Sequence, residues 1–92
     1  MRIFEWDEAK SEWTRRHRGF SFEQAARIFA GPVQSIPDKR RDYGEERIIA
    51  IGESAGEVLV VVYTDRGSAR RIISARRASR RERQIWRLFA RA

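Results

Sequence analysis

The feature that most constrains the fold is the run VLVVVYT at residues 58–64, in which apolar residues follow one another without polar alternation. A half-buried strand alternates apolar and polar side chains, whereas a continuous β-branched run is typical of a strand that is covered on both faces. The run is far shorter than the roughly 20 residues of a membrane-spanning helix. We therefore predict a central β-strand with structure packed on each side of it.

Two neighbouring segments are predicted to pair with this strand. Residues 46–51, ERIIAI, precede it through GESAGE, which predicts a β-hairpin with a multi-residue loop. Residues 69–77, ARRIISARR, follow a turn at 65–68 and predict the next strand. Strict alternation along it gives one face with Arg70, Ile72, Ser74 and Arg76, and another with Arg71, Ile73, Ala75 and Arg77.

Helix signals surround the strands. Residues 1–6 predict an opening strand, and Asp7 is a suitable N-cap for a helix to about Arg16. A capping box begins the next helix at Ser21, and this helix is expected to stop at Gly31-Pro32. A weak strand at 33–38, which Pro37 confines to an edge, and a charged connection at 38–46 follow.

The C-terminal segment predicts a third helix. Ser79 and Glu82 have the spacing of a capping box. We expect an apolar stripe on the core side, formed by Ile85, Trp86, Leu88 and Phe89, and an arginine face opposite it, formed by Arg80, Arg83, Arg87 and Arg91.

The order of these elements predicts an α+β fold for residues 1–92, which are expected to form a single domain. It comprises an N-terminal strand and two helices, a three- to four-stranded antiparallel sheet and a C-terminal helix. The helices are expected on one face of the sheet.

Cysteine and histidine usage narrows the chemistry. With no cysteine and one histidine, His17, the chain has neither a disulfide framework nor a Cys/His metal site. Phosphate loops and the HExxH and GxSxG motifs are missing from the sequence, so no metal or cofactor is predicted. The start, MRIFEWDEAK, is unlike a signal peptide, and a cytoplasmic protein without a membrane partner is expected.

The charge is divided unevenly along the chain. Residues 1–65 carry ten basic and twelve acidic residues, whereas residues 66–92 carry ten arginines and one acid, Glu82. The two parts therefore contribute −2 and +9 to the net charge of +7. Arginine has a planar fork of donors that matches phosphate and carboxylate, so this clustering favours a phosphate-bearing or acidic partner.

The arginines of the predicted strand at 69–77 are harder to explain as solvated surface than those of the last helix. A charge aimed across an apolar sheet is costly unless it is paired, so these side chains need a carboxylate or an incoming phosphate. On the helix, Arg80 and Arg83 fit a solvated face equally well.

Several other side chains allow two interpretations, one functional and one structural. Histidine is a common general base near neutral pH, so His17 is a candidate for that role, but a lone histidine at a basic helix end is more often a surface residue. Tyr63 is either a packed aromatic or a phenol that stacks on or deprotonates RNA. Trp6 and Trp13 are expected in the core rather than stacked on bases. Glu45, Glu46 and Glu53 match no standard metal loop, and salt bridges to arginine are the favoured role.

Four segments in order along the chain resemble the BrnT family of toxins, a branch of the RelE/ParE-like superfamily. They are WDEAK at 6–10, SFEQAARIF at 21–29, GEER at 44–47 leading to IG at 51–52, and RIISARRASRRER at 71–83. The resemblance implies a type II toxin that cleaves RNA without a metal and stalls translation. It also implies a BrnA-like antitoxin, which binds operator DNA and thereby brings the toxin to it.

By this resemblance, the family's motif positions fall on Arg47, Arg71, Ser74, Arg76, Arg77 and Glu82. Family members commonly have Lys-His-Gly before the SF pair, whereas this chain has His17-Arg18-Gly19. The family's histidine position is therefore Arg18, and the shifted His17 is the remaining candidate for its role.

The expected reaction is attack by the ribose 2′-hydroxyl on the adjacent phosphate. Arg71 and Arg76 would hold the phosphate and stabilise the transition state, and Ser74 would position it. Strict alternation separates these two arginines, so one of them acts at the strand's end or is structural. Arg47 is a further catalytic candidate, Tyr63 or His17 would accept the proton, and the RNA-binding set is Arg70, Arg77, Arg80 and Arg83.

A binding module is the alternative function. The same arginines would then bind nucleic acid or an acidic protein without cleaving it.

Overall fold

The structure, a computed structural model, describes residues 3–91, with Arg91 described by its backbone only. Five strands, three helices and one 3₁₀ turn follow one another along the chain. They are β1 (Ile3–Trp6), α1 (Glu8–Arg18), α2 (Phe22–Ala26), the 3₁₀ turn (Arg27–Ala30), β2 (Gln34–Pro37), β3 (Ile48–Ser54), β4 (Glu57–Arg66), β5 (Ala69–Arg77) and α3 (Arg80–Arg91).

The strands form one mixed sheet in the order β1-β5-β4-β3-β2. The apolar run lies in β4, the central strand, as predicted. Strands β2 to β5 are the antiparallel strands that were predicted. The N-terminal strand was not predicted to join them, but β1 pairs parallel with β5 and makes the sheet five-stranded and mixed. β1 is only four residues long and lies beside the strand most distant from it in sequence, so no local pattern predicts this pairing.

Both faces of β4 are covered by helices, which corrects the expectation of helices on one face. Leu59, Val61 and Tyr63 pack with Phe22 and other residues of the α1–α2 side. The alternate residues Val58 and Val60 pack with Trp86 of α3. Because alternate side chains of a strand point to opposite faces, α1 and α2 cover one face and α3 covers the other.

A β-bulge interrupts β5 and changes which side chains share a face. Val62 lies opposite Ser74 and its neighbour Tyr63 lies opposite Ile72, so Ile73 is an extra residue in β5. The predicted alternation is therefore wrong beyond Ile72. Residues opposite each other share a face: Arg70, Ile72, Ala75 and Arg77 face α1 and α2, whereas Arg71, Ser74 and Arg76 face the α3 side.

The β3–β4 connection is shorter than predicted. Ser54 pairs with Glu57, which leaves a two-residue turn at Ala55 and Gly56 in place of the multi-residue loop. Both residues have positive φ, 51° and 80°, which matches the twist of a tight hairpin.

The predicted helix starts are confirmed. The Asp7 carboxylate accepts a hydrogen bond from the Lys10 amide at 3.1 Å. Reciprocal capping-box bonds are present between Ser21 and Gln24 and between Ser79 and Glu82. The second helix becomes a 3₁₀ turn at Arg27 and ends before Gly31. Within residues 3–91, no helix is long and apolar enough to cross a membrane.

The predicted apolar stripe of α3 is only partly buried. Trp86 is 1% exposed and its indole N–H donates to Glu53 Oε1 at 2.8 Å. Ile85, Leu88 and Phe89 remain 50%, 71% and 38% exposed. One aromatic side chain therefore anchors α3 to the sheet, and the rest of its apolar surface is open.

Gly52 provides a test of the packing between β3 and the 3₁₀ turn. A Cβ there would lie 2.9 Å from the Ile28 Cβ and 3.0 Å from the Val33 Cγ1. We expect Gly52→Ala to lower the free energy of unfolding by about 1–3 kcal/mol in urea denaturation, because the overpacked side chains must shift.

Gly31→Ala is the matched control. A Cβ at Gly31 has no neighbour within 4 Å, and its φ of −124° suits alanine. This variant should be as stable as the wild type, and an unchanged urea midpoint for Gly52→Ala would contradict the packing.

Candidate functional site

The α3 side of the sheet is only partly covered by its helix. Trp86 packs over Val58 and Val60, towards the hairpin end of the sheet. On the same face β5 presents Arg71, Ser74 and Arg76, opposite Thr64, Val62 and Val60 respectively. We call Arg71, Ser74 and Arg76 the β5 cluster.

Arg76 is held by Glu82 at the start of α3. Its two Nη atoms donate to the two carboxylate oxygens at 2.7 and 2.9 Å. The hydrogen bond from Arg76 lowers the pKa of Glu82 to about 2, and the same bond raises the pKa of Arg76. The Arg76 side chain nevertheless remains 48% exposed, so an anion can reach it beside the carboxylate.

Arg71 and Ser74 differ from Arg76 in having no such partner. In the part of the chain that the structure describes, the Arg71 guanidinium makes no ion pair and the Ser74 hydroxyl no hydrogen bond. Arg71 is half-buried and Ser74 is exposed. The unused donors of β5 therefore lie on the face of the β5 cluster.

The loop between β2 and β3 adds cations that the sequence analysis did not single out. Arg40 donates to both carboxylate oxygens of Asp38 at 2.8 Å, and the Asp38 side chain is fully buried. The Arg40 hydrogen bond lowers the pKa of Asp38 to about 2. The positive charge of Arg40 lowers the pKa of Arg76, against the larger raising effect of Glu82.

Tyr43 and Arg47 lie in the same loop region. The Arg47 guanidinium stacks 4.1 Å from the centre of the Tyr43 ring and pairs with Glu45 at 3.1 Å. Glu45 also binds Arg66, which confirms the predicted salt-bridge role for this acid. The only sequence signal for Tyr43 was that it is the one aromatic residue in the charged run DKRRDYGEER.

Arg70 and Arg77 lie on the opposite face of β5 and have partners within the chain. Arg70 donates to both oxygens of Asp65 at 2.8 and 3.1 Å, and its guanidinium stacks 4.2 Å from the centre of the Tyr63 ring. Arg77 pairs with Glu57 at 3.0 Å and donates to the Arg18 carbonyl. These contacts join β5 to the turns and to α1.

The two candidate proton acceptors lie away from the β5 cluster. Tyr63 is 5% exposed and packs edge-on against Phe29, on the α1–α2 side. His17 is exposed near the end of α1, with its ring stacked on Trp13 and its Nδ1 2.8 Å from the Trp13 carbonyl oxygen. Trp13 is itself 49% exposed, so its predicted place in the core is wrong.

Arg80 and Arg83 lie on a different flank of α3 from Glu82. Successive helix residues are about 100° apart, which gives Arg80, Arg83 and Arg87 one flank and Ile85 the other. Arg83 donates to the Ala78 carbonyl at 2.9 Å, and Arg80 is exposed. They add positive charge beside α3, outside the β5 cluster.

Fold and site together define a small basic α+β protein with a guanidinium-rich sheet face suited to phosphate groups. The family model for the ribonuclease toxin BrnT of type II toxin-antitoxin systems matches residues 6–82. The chain therefore belongs to this family, which confirms the resemblance seen in the sequence. The matched range contains Arg47 and the β5 cluster and ends at Glu82. A search of curated proteins gives no significant match.

The Arg76–Glu82 pair predicts a pH-dependent contribution to stability. The pKa of Glu82 is lower in the folded protein than the ordinary 4.5, so the contribution is complete above about pH 4.5 and is lost as the pH falls towards 2. The Glu82 side chain is 34% exposed, and solvent screening reduces the effect to about 1 kcal/mol.

We expect Glu82→Gln to lower the free energy of unfolding by this amount at pH 7 and by progressively less below pH 4. Glutamine preserves the capping box but loses the charge and one of the two acceptors for Arg76, so the difference measures the whole pair. Denaturant titrations across this pH range measure it, with the exposed Glu23→Gln as control. A difference that does not change with pH would contradict the pairing.

Proposed function

We propose that the protein is a metal-independent endoribonuclease that cleaves RNA at the β5 cluster and thereby inhibits translation in the cytoplasm. Family membership supports the ribonuclease activity, and the co-facial arrangement of Arg71, Ser74 and Arg76 is the observation that carries the choice of site. A BrnA-like antitoxin neutralises it and brings the complex to operator DNA.

The proposed reaction begins when the scissile phosphate binds between Arg71 and Arg76. The ribose 2′-oxygen attacks phosphorus, the bond to the 5′-oxygen breaks, and the products are a 2′,3′-cyclic phosphate and a 5′-hydroxyl. Two guanidiniums stabilise the additional negative charge that develops on the phosphoryl oxygens, and Ser74 donates a hydrogen bond to one of them. Arg47 provides a further cation for the RNA backbone, beside Tyr43.

Glu82 is the proton acceptor in this proposal, in place of Tyr63 and His17. Its carboxylate is 2.7 Å from Arg76, whereas both of the other candidates belong to the α1–α2 side. A phosphate that replaces Glu82 on Arg76 removes the largest of the interactions that lower the pKa of Glu82. The released carboxylate then accepts the 2′-hydroxyl proton, and solvent protonates the departing 5′-oxygen.

The proposal is tested by comparing alanine variants of neighbouring arginines that lie on opposite faces of β5. Purified wild-type protein and single alanine variants are incubated with cellular RNA in EDTA, with and without ribosomes, and the cleaved ends are mapped. We expect Arg71→Ala and Arg76→Ala each to reduce the cleavage rate by about 100-fold or more, because each removes a charge from the transition state.

Arg77→Ala is the matched control, since Arg77 follows Arg76 directly and has similar exposure but faces α1. It should cleave RNA within a few-fold of the wild-type rate. Equal losses in Arg76→Ala and Arg77→Ala, with both variants folded, would remove the β5 cluster from the site.

The non-catalytic binding module remains the second candidate function, favoured by the exposed arginines of α3. If this function is correct, RNA should stay intact under all of these conditions. The protein should bind RNA with an affinity that falls as the salt concentration rises. For single-stranded RNA, each phosphate contact that a variant loses should reduce the slope of log affinity against log salt by about 0.7.

A further inference from the structure

An apolar groove lies between α3 and the edge strand β2, on the same sheet face as the β5 cluster. It has a volume of about 170 Å³, and its walls include Ile36, Ile49, Ile51, Val60, Glu82 and Ile85. We call it the β2–α3 groove. Its rim is unusually apolar for a surface, since Ile36 is 59% exposed and Ile85 is 50% exposed.

The apolar surface continues along α3 beyond the groove. Residues three and four apart share a helix flank, so Leu88 and Phe89 extend the flank of Ile85. Both are exposed. A contiguous apolar surface of this kind marks an interaction site rather than a solvated face.

The groove is too small for a cofactor or drug-sized molecule, whose pockets enclose about 300–1,000 Å³. Its one charged wall residue, Glu82, already binds Arg76 and the Ser79 amide. The groove is large enough for single aliphatic side chains of a protein partner. Such side chains fill small pockets at the centres of protein–protein interfaces.

We propose that the β2–α3 groove receives an amphipathic acidic segment of the antitoxin. The inference rests on the proposed function, and the existence of a protein partner follows from the toxin-antitoxin family. The acidic character follows from charge: the chain carries +7, and Arg81 lies one turn before Ile85 on the same flank, exposed and without an ion pair among residues 3–91. Apolar side chains of the segment enter the groove, and its carboxylates meet Arg81.

This location explains how binding neutralises the toxin. Glu82 is both a wall of the groove and the partner of Arg76. A segment in the groove therefore covers the approach to Arg76 and holds Glu82 in its ion pair. RNA is excluded without any change in the fold.

The experiment measures affinity and activity separately. The probe is the protein encoded beside this chain's gene, purified and titrated into the toxin by calorimetry. We expect Ile36→Glu and Ile85→Glu each to raise the Kd at least tenfold, because each puts a charge into an apolar contact, and both variants should cleave RNA normally when alone. Arg81→Glu should weaken binding at low salt and less at high salt.

Ile3→Glu is the matched control, since Ile3 is 66% exposed and lies in β1, at the other edge of the sheet. It should bind the probe with wild-type affinity. Wild-type affinity in both groove variants, an equal loss in Ile3→Glu, or no complex with the wild type would overturn the proposal. So would a toxin dimer that Ile85→Glu dissociates while affinity for the probe is unchanged.

The result also separates this inference from the proposed function. A wild-type toxin that binds the probe through the groove but leaves RNA intact refutes the ribonuclease site and retains the docking surface.

Discussion

Ile73 has no counterpart in β4. From Ser74 onwards, this extra residue reverses which face of the sheet each side chain of β5 occupies. Before the bulge, Arg71 points to the α3 side; after it, Arg76 does so as well. Without the bulge, the two guanidiniums would lie on opposite faces, and Arg76 would enter the core beneath α1 and α2. The same inversion places Ala75 in the core on the α1–α2 side, where it is 1% exposed. A bulge beside a candidate site that re-aims a side chain is a common device in β-sheets.

The positive charges of β5 are also divided between the two faces of the sheet. Three of its four arginines pair with carboxylates of the chain itself, at Asp65, Glu82 and Glu57. Two of these pairs secure the α1–α2 side, where Arg70 and Arg77 also stack on aromatic rings. The third pair, Arg76–Glu82, is on the open face, where phosphate can compete with the carboxylate. Arg71 completes that face without an ion pair in the described chain. The excess positive charge of the C-terminal region is therefore partly structural and partly available to a polyanion.

Much of this fold follows from local patterns. The continuous apolar run of β4 predicted a central strand, and three side-chain caps, at Asp7, Ser21 and Ser79, predicted where helices begin. These features depend on residues close together in the sequence. The pairing of β1 with β5 depends on residues more than 60 positions apart, and periodicity carries no information about it.

The residues of the candidate site were predictable from the sequence, but their arrangement was not. Arg71, Ser74, Arg76 and Glu82 all came from the resemblance, yet strict alternation separated the two arginines because a bulge leaves no mark in a sequence such as RRIISARR. His17 was a candidate for its chemistry and Tyr63 for its place at the end of the central strand, and the layers of the fold put both on the α1–α2 side. Arg40 was not predicted, because it is held by the buried carboxylate of Asp38 and local patterns do not show which acid of the charged loop is buried.

The most direct test follows the arginine side chains themselves as RNA binds. A 2′-O-methylated RNA, which cannot be cleaved, is titrated into the labelled protein, and the Nε–Hε signals of arginine are monitored by NMR. Shifts confined to Arg71, Arg76, Arg40 and Arg47 are the predicted result. Shifts of Arg70, Arg77 and Arg18 with the others unmoved would place the RNA on the α1–α2 side and contradict the account.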